Sequence, residues 1–282
     1  MKDTKKFLKD IKLVVFDLDG TLLNDKNEIS ETTIELVKKL KEKGVRFSIA
    51  SARLLSSFIE HIKMLDIDIP VISLDGTYVA NPATNEILLE SFMKKNHVNR
   101  ALKLSEKYSL NVALCCRDSI YYNESNSVVK SLLDKYGAEF RLIKSYESCM
   151  DNVLEMIMVS ESSDKIKKAH SKMIFPYTFG VQALHYKSNN YGGIYYLELK
   201  KMGTNKGKAL KKLCDYLHIN LINTAVIGDW YNDVHLFHSK AYKVAMANAV
   251  PEIKKLADLI TSKDNNEEGI NEFLYMLLKA KS

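Results

Sequence analysis

Two acidic turns carry the residue types and spacing that can do chemistry: Asp17-Leu18-Asp19-Gly20-Thr21 and Gly228-Asp229-Trp230-Tyr231-Asn232-Asp233. In the first, two carboxylates stand two residues apart, and Gly20 lets the chain turn sharply behind them. Carboxylates held that close repel each other, so a proton or a cation must sit between them. Hard oxygen ligands of this kind select Mg²⁺. The second turn repeats the arrangement more than two hundred residues later.

The elements around these turns decide whether they meet. Lys12–Asp17 reads KLVVFD, a short apolar run that suits a strand covered on both faces. Ser30–Lys43 follows as a helix, with Ser30 as its cap and Gly44 as its stop. Val45–Ala50 predicts a second strand, Leu54–Leu65 a helix, and Val71–Leu74 a third strand ending at the turn Asp75-Gly76. After residue 190 the same alternation returns: a helix over Asn205–Leu217, a strand over Thr224–Ile227, a helix over Asn232–Ser239, a strand over Lys243–Met246 and a helix over Pro251–Ala257. Strands alternating with helices imply an α/β fold with a Rossmann-like parallel sheet. Ligands bind beyond the carboxyl ends of such strands, which puts both acidic turns on one edge.

Residues 84–190 read differently. Helical segments over Arg100–Tyr108 and Asn126–Tyr136 lie among strand-like pieces such as Val112–Cys115 and Val153–Val159; Tyr121-Tyr122 and, beyond this stretch, Tyr195-Tyr196 also read as strand residues. The expected organisation is therefore a core of residues 1–83 and 191–282 with an inserted α+β domain of residues 84–190, the return falling near Ser188–Gly193.

Composition narrows the partner. The chain has 282 residues, 46% hydrophobic and 27% charged, enough for a buried core. A formal net charge of +6 suits nucleic acid or anionic metabolites. No arginine-rich stripe or aromatic stacking motif accompanies it, so small anionic molecules are favoured and nucleic acid is not expected. Cys115, Cys116, Cys149 and Cys214 show no CxxC spacing and read as small core residues. The charged Met1–Lys9 stretch and the short apolar run behind it do not form a secretion signal, and no run is long enough to span a membrane. A cytoplasmic protein is expected. His235 and His238 stand three apart on a predicted helix, but with no further ligand pattern they read as packing residues rather than zinc ligands. Nothing in the sequence sets an oligomeric state.

Four motifs in order make the chain resemble the haloacid dehalogenase superfamily phosphatases, specifically the Cof-type branch with a type IIB cap. They are Asp17–Thr21, Ser51 within Ser48–Arg53, Lys206 within Gly203–Gly207, and Gly228–Asp233. The tail Met246-Ala247-Asn248-Ala249, with Asp258–Thr261 and Asn265–Gly269, is similar to the same branch. The resemblance implies a Mg²⁺-dependent phosphatase acting on small phosphorylated metabolites through an aspartyl phosphate, with the insertion selecting substrate. It makes Asp17 the nucleophile and Asp19 the general acid and base. Metal ligands would be the Asp17 and Asp229 carboxylates and the Asp19 backbone carbonyl, with Asp233 supporting the ion directly or through water. Ser51, Lys206 and Asn232 would contact the substrate phosphate. Arg53 either binds substrate or pairs with a surface acid.

The chain departs from the branch at two places. Asp75-Gly76-Thr77 stands where Asn-Gly-Ala is usual, and Ala247 replaces a glycine. An extra carboxylate at position 75 would repel a substrate anion or grip a sugar hydroxyl. Sugar phosphates are the leading substrate class. A flavin- or pyridoxal-phosphate phosphatase, a phosphomutase, and a non-catalytic phosphometabolite sensor are the alternatives; a sensor needs no nucleophile.

Overall fold

All four residues of Leu13–Phe16 are buried, as a strand covered on both faces must be. The computed structural model describes residues 4–123, 139–175, 179–188 and 193–282. In chain order the strands are β1 (Leu13–Phe16), β2 (Arg46–Ile49), β3 (Val71–Ser73), β4 (Tyr78–Asn81), β5 (Glu86–Glu90), β6 (Asn111–Cys115), β7 (Ile120–Tyr122), β8 (Phe140–Leu142), β9 (Glu155–Ser160), β10 (Val181–Lys187), β11 (Tyr195–Lys201), β12 (Thr224–Gly228), β13 (Tyr242–Ala245) and β14 (Leu259–Ile260).

The chain forms two compact units. The first comprises Met1–Ala52, Ile59–Leu89 and Asn205–Ser282. Its main sheet has the order β14-β13-β12-β1-β2 and is parallel throughout. β1 therefore lies between β2, which follows it in the chain, and β12, which arrives after the whole second unit. The strand order reverses between β1 and β12, and such a switch point opens a crevice at the carboxyl ends of the two strands. A smaller antiparallel sheet, β3-β4-β5, belongs to the same part of the chain, and an isolated parallel bridge between Ala50 and Ile72 continues the register of the main sheet beyond β2.

The helix Glu31–Glu42 begins as expected, with the Ser30 hydroxyl accepting from the Thr33 N–H. It buries Leu36, Val37 and Leu40. Thr33 Oγ1 donates to Asn271 Oδ1 at 2.8 Å, joining this helix to Ile270–Lys281, which buries Phe273, Leu274 and Leu277. The second unit comprises Arg53–Phe58 and Glu90–Thr204. Its six-stranded sheet runs β10-β11-β9-β6-β7-β8 and is antiparallel except between β7 and β8. Alternate residues Met156, Met158, Leu197 and Leu199 point from one face of that sheet into a core completed by Val98 and Ala101 of the helix Lys95–Tyr108 and by Ile166, Ala169 and Met173 of the helix Ser163–Ile174.

The α/β class and the inserted α+β unit are as expected. The divisions fall at Leu89–Glu90 and Thr204–Asn205 rather than at residues 83–84 and 190–191. Two pairings account for this: β5 is the edge of the β3-β4-β5 sheet, and β11 is hydrogen-bonded between β9 and β10. The expected helix over Leu54–Leu65 is instead a 3₁₀ turn, Leu55–Phe58, followed by a short α-helix, Ile59–Met64. The Ser57 hydroxyl donates to the Leu54 carbonyl, a local bond that competes with the regular helix. The expected helix over Asn126–Tyr136 and most of the expected return segment, 189–192, lie outside the described residues.

Candidate active site

Asp17 is the first residue beyond β1, and its N–H still donates to the Ile227 carbonyl of β12 at 2.8 Å. Gly228 ends β12 and Asp229 follows it. The parallel register therefore delivers both acids to the carboxyl edge at the switch point. Asp17 and Asp229 are buried, and Asp233 is fully so. Carboxylate oxygens of these three residues all lie within 4.8 Å of one another.

Asp233 reaches the cluster because the turn folds back on itself. Tyr231–Asp233 is a 3₁₀ turn, and Asp233 Oδ2 accepts from the backbone N–H groups of Asp229 at 3.1 Å and Trp230 at 3.2 Å. Gly228 has no alternative, since a Cβ there would lie 2.5 Å from Asp233 Oδ2. Across the crevice, Gly20 adopts φ +74°, and a Cβ would lie 2.6 Å from Asp229 Oδ2. Asn248 Nδ2 donates to the Gly20 carbonyl at 2.8 Å, which fixes the first turn from the tail of the chain.

Lys206 is the first residue of the helix Lys206–Leu217, whose cap Asn205 accepts from the Lys208 N–H. Its fully buried ammonium donates to Asp17 Oδ1 and to Asp233 Oδ1, the latter at 2.7 Å. Burial opposes charge on this lysine, yet Asp17 and Asp233, and then Asp75, outweigh it and hold the ammonium above its ordinary range. The acids are not equally compensated. Burial, then Asp233, raise the Asp17 carboxyl well above its usual value, against the pull of Lys206. Burial and Asp233 likewise push Asp229 up to about 7, although the Thr21 hydroxyl donates to its Oδ1 at 2.8 Å.

One ammonium among three ionised carboxylates leaves a net charge of two minus in a buried space. That excess, expressed as raised carboxyl affinities for protons, fits a site for a divalent cation with hard oxygen ligands. Asp17, Asp229 and Asp233 are the side chains that would hold it.

The other sequence-derived candidates are distributed around this cluster. Asp19 is exposed and near enough to raise the Asp229 carboxyl electrostatically. Ser51 is buried; its N–H donates to the Ile72 carbonyl, and its own carbonyl accepts from the Asp75 N–H at 3.0 Å. Asn232 donates through Nδ2 to Asp75 Oδ1 at 3.1 Å. Arg53 groups with the second unit. His235 and His238 take no part in the acid cluster found among the described residues.

The profile of the haloacid dehalogenase-like hydrolases matches residues 14–274. The chain belongs to this family. A protein of Streptococcus pyogenes serotype M6 that is provisionally named a phosphatase is 30% identical over 267 residues, 92% of this chain and 96% of its own. A 5-amino-6-(5-phospho-D-ribitylamino)uracil phosphatase of Bacillus subtilis is 24% identical over 265 residues, covering 93% and 96%. The crystal structure of a haloacid dehalogenase-like hydrolase from Bacteroides thetaiotaomicron superposes with a TM-score of 0.83 at 25% identity, covering 94% of this chain and 98% of its own.

Three contacts in this haloacid dehalogenase-like hydrolase were not anticipated as such. Thr21 and Asn248 lie inside segments singled out in the sequence, but the bonds from Thr21 to Asp229 and from Asn248 to Gly20 join positions more than two hundred residues apart. The pairing of Asp75 with Asn232 is the third.

Proposed function

We propose that this hydrolase is a Mg²⁺-dependent phosphatase of small phosphorylated metabolites, working through an aspartyl phosphate on Asp17. The observation that carries the reading is the buried Asp17 carboxylate, bonded to Lys206 at the end of β1, with Asp229 and Asp233 converging on it.

An oxygen of Asp17 attacks phosphorus, and the bond from phosphorus to the leaving oxygen breaks. Asp19, exposed at the edge of the cluster, hands that oxygen a proton. Water then attacks the phosphorus of the aspartyl phosphate while Asp19, now a carboxylate, takes a proton from that water. Asp17 leaves as a carboxylate and inorganic phosphate is released. Lys206 keeps Asp17 oriented and adds positive charge beside the transferring group, with the N-terminus of its helix behind it. Ser51, at the end of β2, and Asn232 would take the remaining phosphate oxygens. When bound, Mg²⁺, held by Asp17, Asp229, the Asp19 carbonyl and Asp233, would neutralise the excess carboxylate charge and that of the phosphate.

The second unit is proposed as the substrate-selecting cap, with Arg53 as its contribution to substrate binding. Sugar phosphates remain the leading substrate class. The Bacillus subtilis relative named for 5-amino-6-(5-phospho-D-ribitylamino)uracil favours a sugar-alcohol phosphate within that chemistry. The four cysteines are buried free thiols, which suits the reducing cytoplasm.

The test is hydrolysis of p-nitrophenyl phosphate before and after chelation, followed by a panel of hexose phosphates, 5-amino-6-(5-phospho-D-ribitylamino)uracil, FMN and pyridoxal phosphate ranked by kcat/KM. Turnover restored by Mg²⁺ is expected. Binding across the panel without turnover would establish a sensor instead.

A further inference from the structure

The segment Ser73–Thr77 is costly to hold in place. Leu74, Asp75 and Gly76 are consecutive residues in the left-handed region, with φ 46°, 50° and 91°. Only glycine adopts that region freely, and a bulky leucine there is strained. Among the described residues, the hydroxyls of Ser73 and Thr77, both buried, find no hydrogen-bond partner. Gly76 fits because its missing Cβ would stand 2.5 Å from the Asn205 carbonyl, at the start of the Lys206 helix. A loop with these costs persists only where its surroundings over-determine it.

Its contacts show what it does. The Asp75 N–H binds the Ser51 carbonyl, its Oδ1 binds the Asn232 amide, and its charge acts on the Lys206 ammonium. Ser51, Asn232 and Lys206 are three side chains assigned above to the substrate phosphate. A carboxylate only accepts hydrogen bonds, so it forces the Asn232 Nδ2 toward itself and fixes that amide in one of its two orientations. The same carboxylate also sets a negative charge beside a pocket meant for a dianion.

We propose that Asp75 is the positioning residue of the phosphate pocket: it orients Asn232 and, by its charge, weakens the pocket's hold on free phosphate so that product leaves. The proposal rests on the phosphatase reading.

Two variants separate the two roles. Asp75→Asn keeps an accepting oxygen for Asn232, tolerates the left-handed backbone and removes the charge. Asp75→Gly also suits the backbone and removes both charge and acceptor. Calorimetric titration with inorganic phosphate, in the presence of Mg²⁺, should show roughly fivefold tighter binding to Asp75→Asn than to wild type, the size expected of one nearby charge in partly screened surroundings. With p-nitrophenyl phosphate, kcat should fall severalfold further in Asp75→Gly than in Asp75→Asn, and phosphate should inhibit Asp75→Asn at lower concentration than wild type. The Asn232 side-chain amide resonances should shift in Asp75→Gly and change little in Asp75→Asn. Equal phosphate affinity in wild type and Asp75→Asn would overturn the charge role, and unchanged Asn232 resonances in Asp75→Gly would overturn the positioning role. If wild type turns over no phosphate ester, the phosphatase reading fails, while the amide resonances still decide whether Asp75 holds Asn232.

Discussion

The Thr21 hydroxyl donates to Asp229 Oδ1 at 2.8 Å across the β1–β12 switch point, closing a bond between residues 208 positions apart in the chain. The bond lowers the proton affinity of Asp229 in a place where burial and Asp233 raise it. Thr21→Val keeps the shape and removes the donor. Isothermal titration with Mg²⁺ alone should then show affinity reduced severalfold, and thermal unfolding should show a loss of about 1 kcal/mol. Unchanged metal affinity would mean that Asp229 does not need this bond to serve as a ligand.

Lys206 bonds to two acids, and both contacts are buried. Replacing it by methionine fills the space of the stem and removes the ammonium from Asp17 and Asp233. Breaking a buried ion pair by deleting one partner costs about 3–5 kcal/mol, because the remaining charge is stranded. Lys206→Met should therefore lose stability strongly at pH 8 and less at pH 5, where protons take over the role of the ammonium. Denaturant melts of the metal-free protein at the two pH values check this. Equal losses at both would show that packing of the lysine stem, not its charge, holds the cluster.

The metal-free protein itself should be sensitive to pH in an unusual direction. The Asp229 carboxyl sits at about 7, and Asp17 is also raised, in both cases chiefly by burial. Unfolded aspartates titrate near roughly 4. A group with the higher value in the folded state binds its proton more tightly there, so its contribution to stability is full below about 4 and is lost as pH rises through about 7. With chelator present, Tm should fall between pH 5 and pH 8. Saturating Mg²⁺ should flatten that decline and raise Tm most at the alkaline end. A Tm that climbs with pH under chelation would contradict the excess of carboxylate charge.

Much of this site was legible because its chemistry is local. Asp17 and Asp229 each follow a buried apolar run, and a parallel sheet sends the ends of such strands to one edge. The cap Ser30 and the turn at Gly76 are likewise local signals. The helix Lys95–Tyr108 starts five residues before the expected Arg100, because Lys94 offers no side-chain cap to mark it. The helix Ile270–Lys281 has regular apolar spacing but no start signal in the sequence, since its cap, Gly269, lacks a side chain. What a sequence does not display is convergence. That Lys206 would bond to both Asp17 and Asp233, or that Asp75 would take the amide of Asn232, depends on strand order and on a folded-back turn.

Asp17→Asn tests the nucleophile directly. The amide keeps the shape of the side chain and a donor–acceptor end, but it loses the charge proposed to attack phosphorus. Turnover of p-nitrophenyl phosphate should fall by several orders of magnitude while the protein stays folded, since one negative charge among three crowded acids has been removed. Near wild-type turnover in the purified variant would exclude Asp17 as the attacking group.

Trp230, the sole tryptophan, reports on the same turn. Its backbone N–H donates to Asp233 Oδ2 at 3.2 Å, the residue is 46% exposed, and its ring meets Tyr231 edge to face at 5.4 Å. Asp233 Oδ2 also holds the N–H of Asp229, so any ion drawing Asp229 and Asp233 together pulls on the backbone that carries the indole. Adding Mg²⁺ should therefore shift the intrinsic emission in a saturable way. Beryllium fluoride, which attaches to an aspartate as a phosphoryl group does, should add a second change that requires Mg²⁺. Because that attachment needs the Asp17 carboxylate, Asp17→Asn should abolish the fluoride-dependent part. The response to Mg²⁺ alone should survive in weakened form through Asp229 and Asp233. A beryllium fluoride response that persists unchanged in Asp17→Asn would place the acceptor at another residue and remove Asp17 from the reaction.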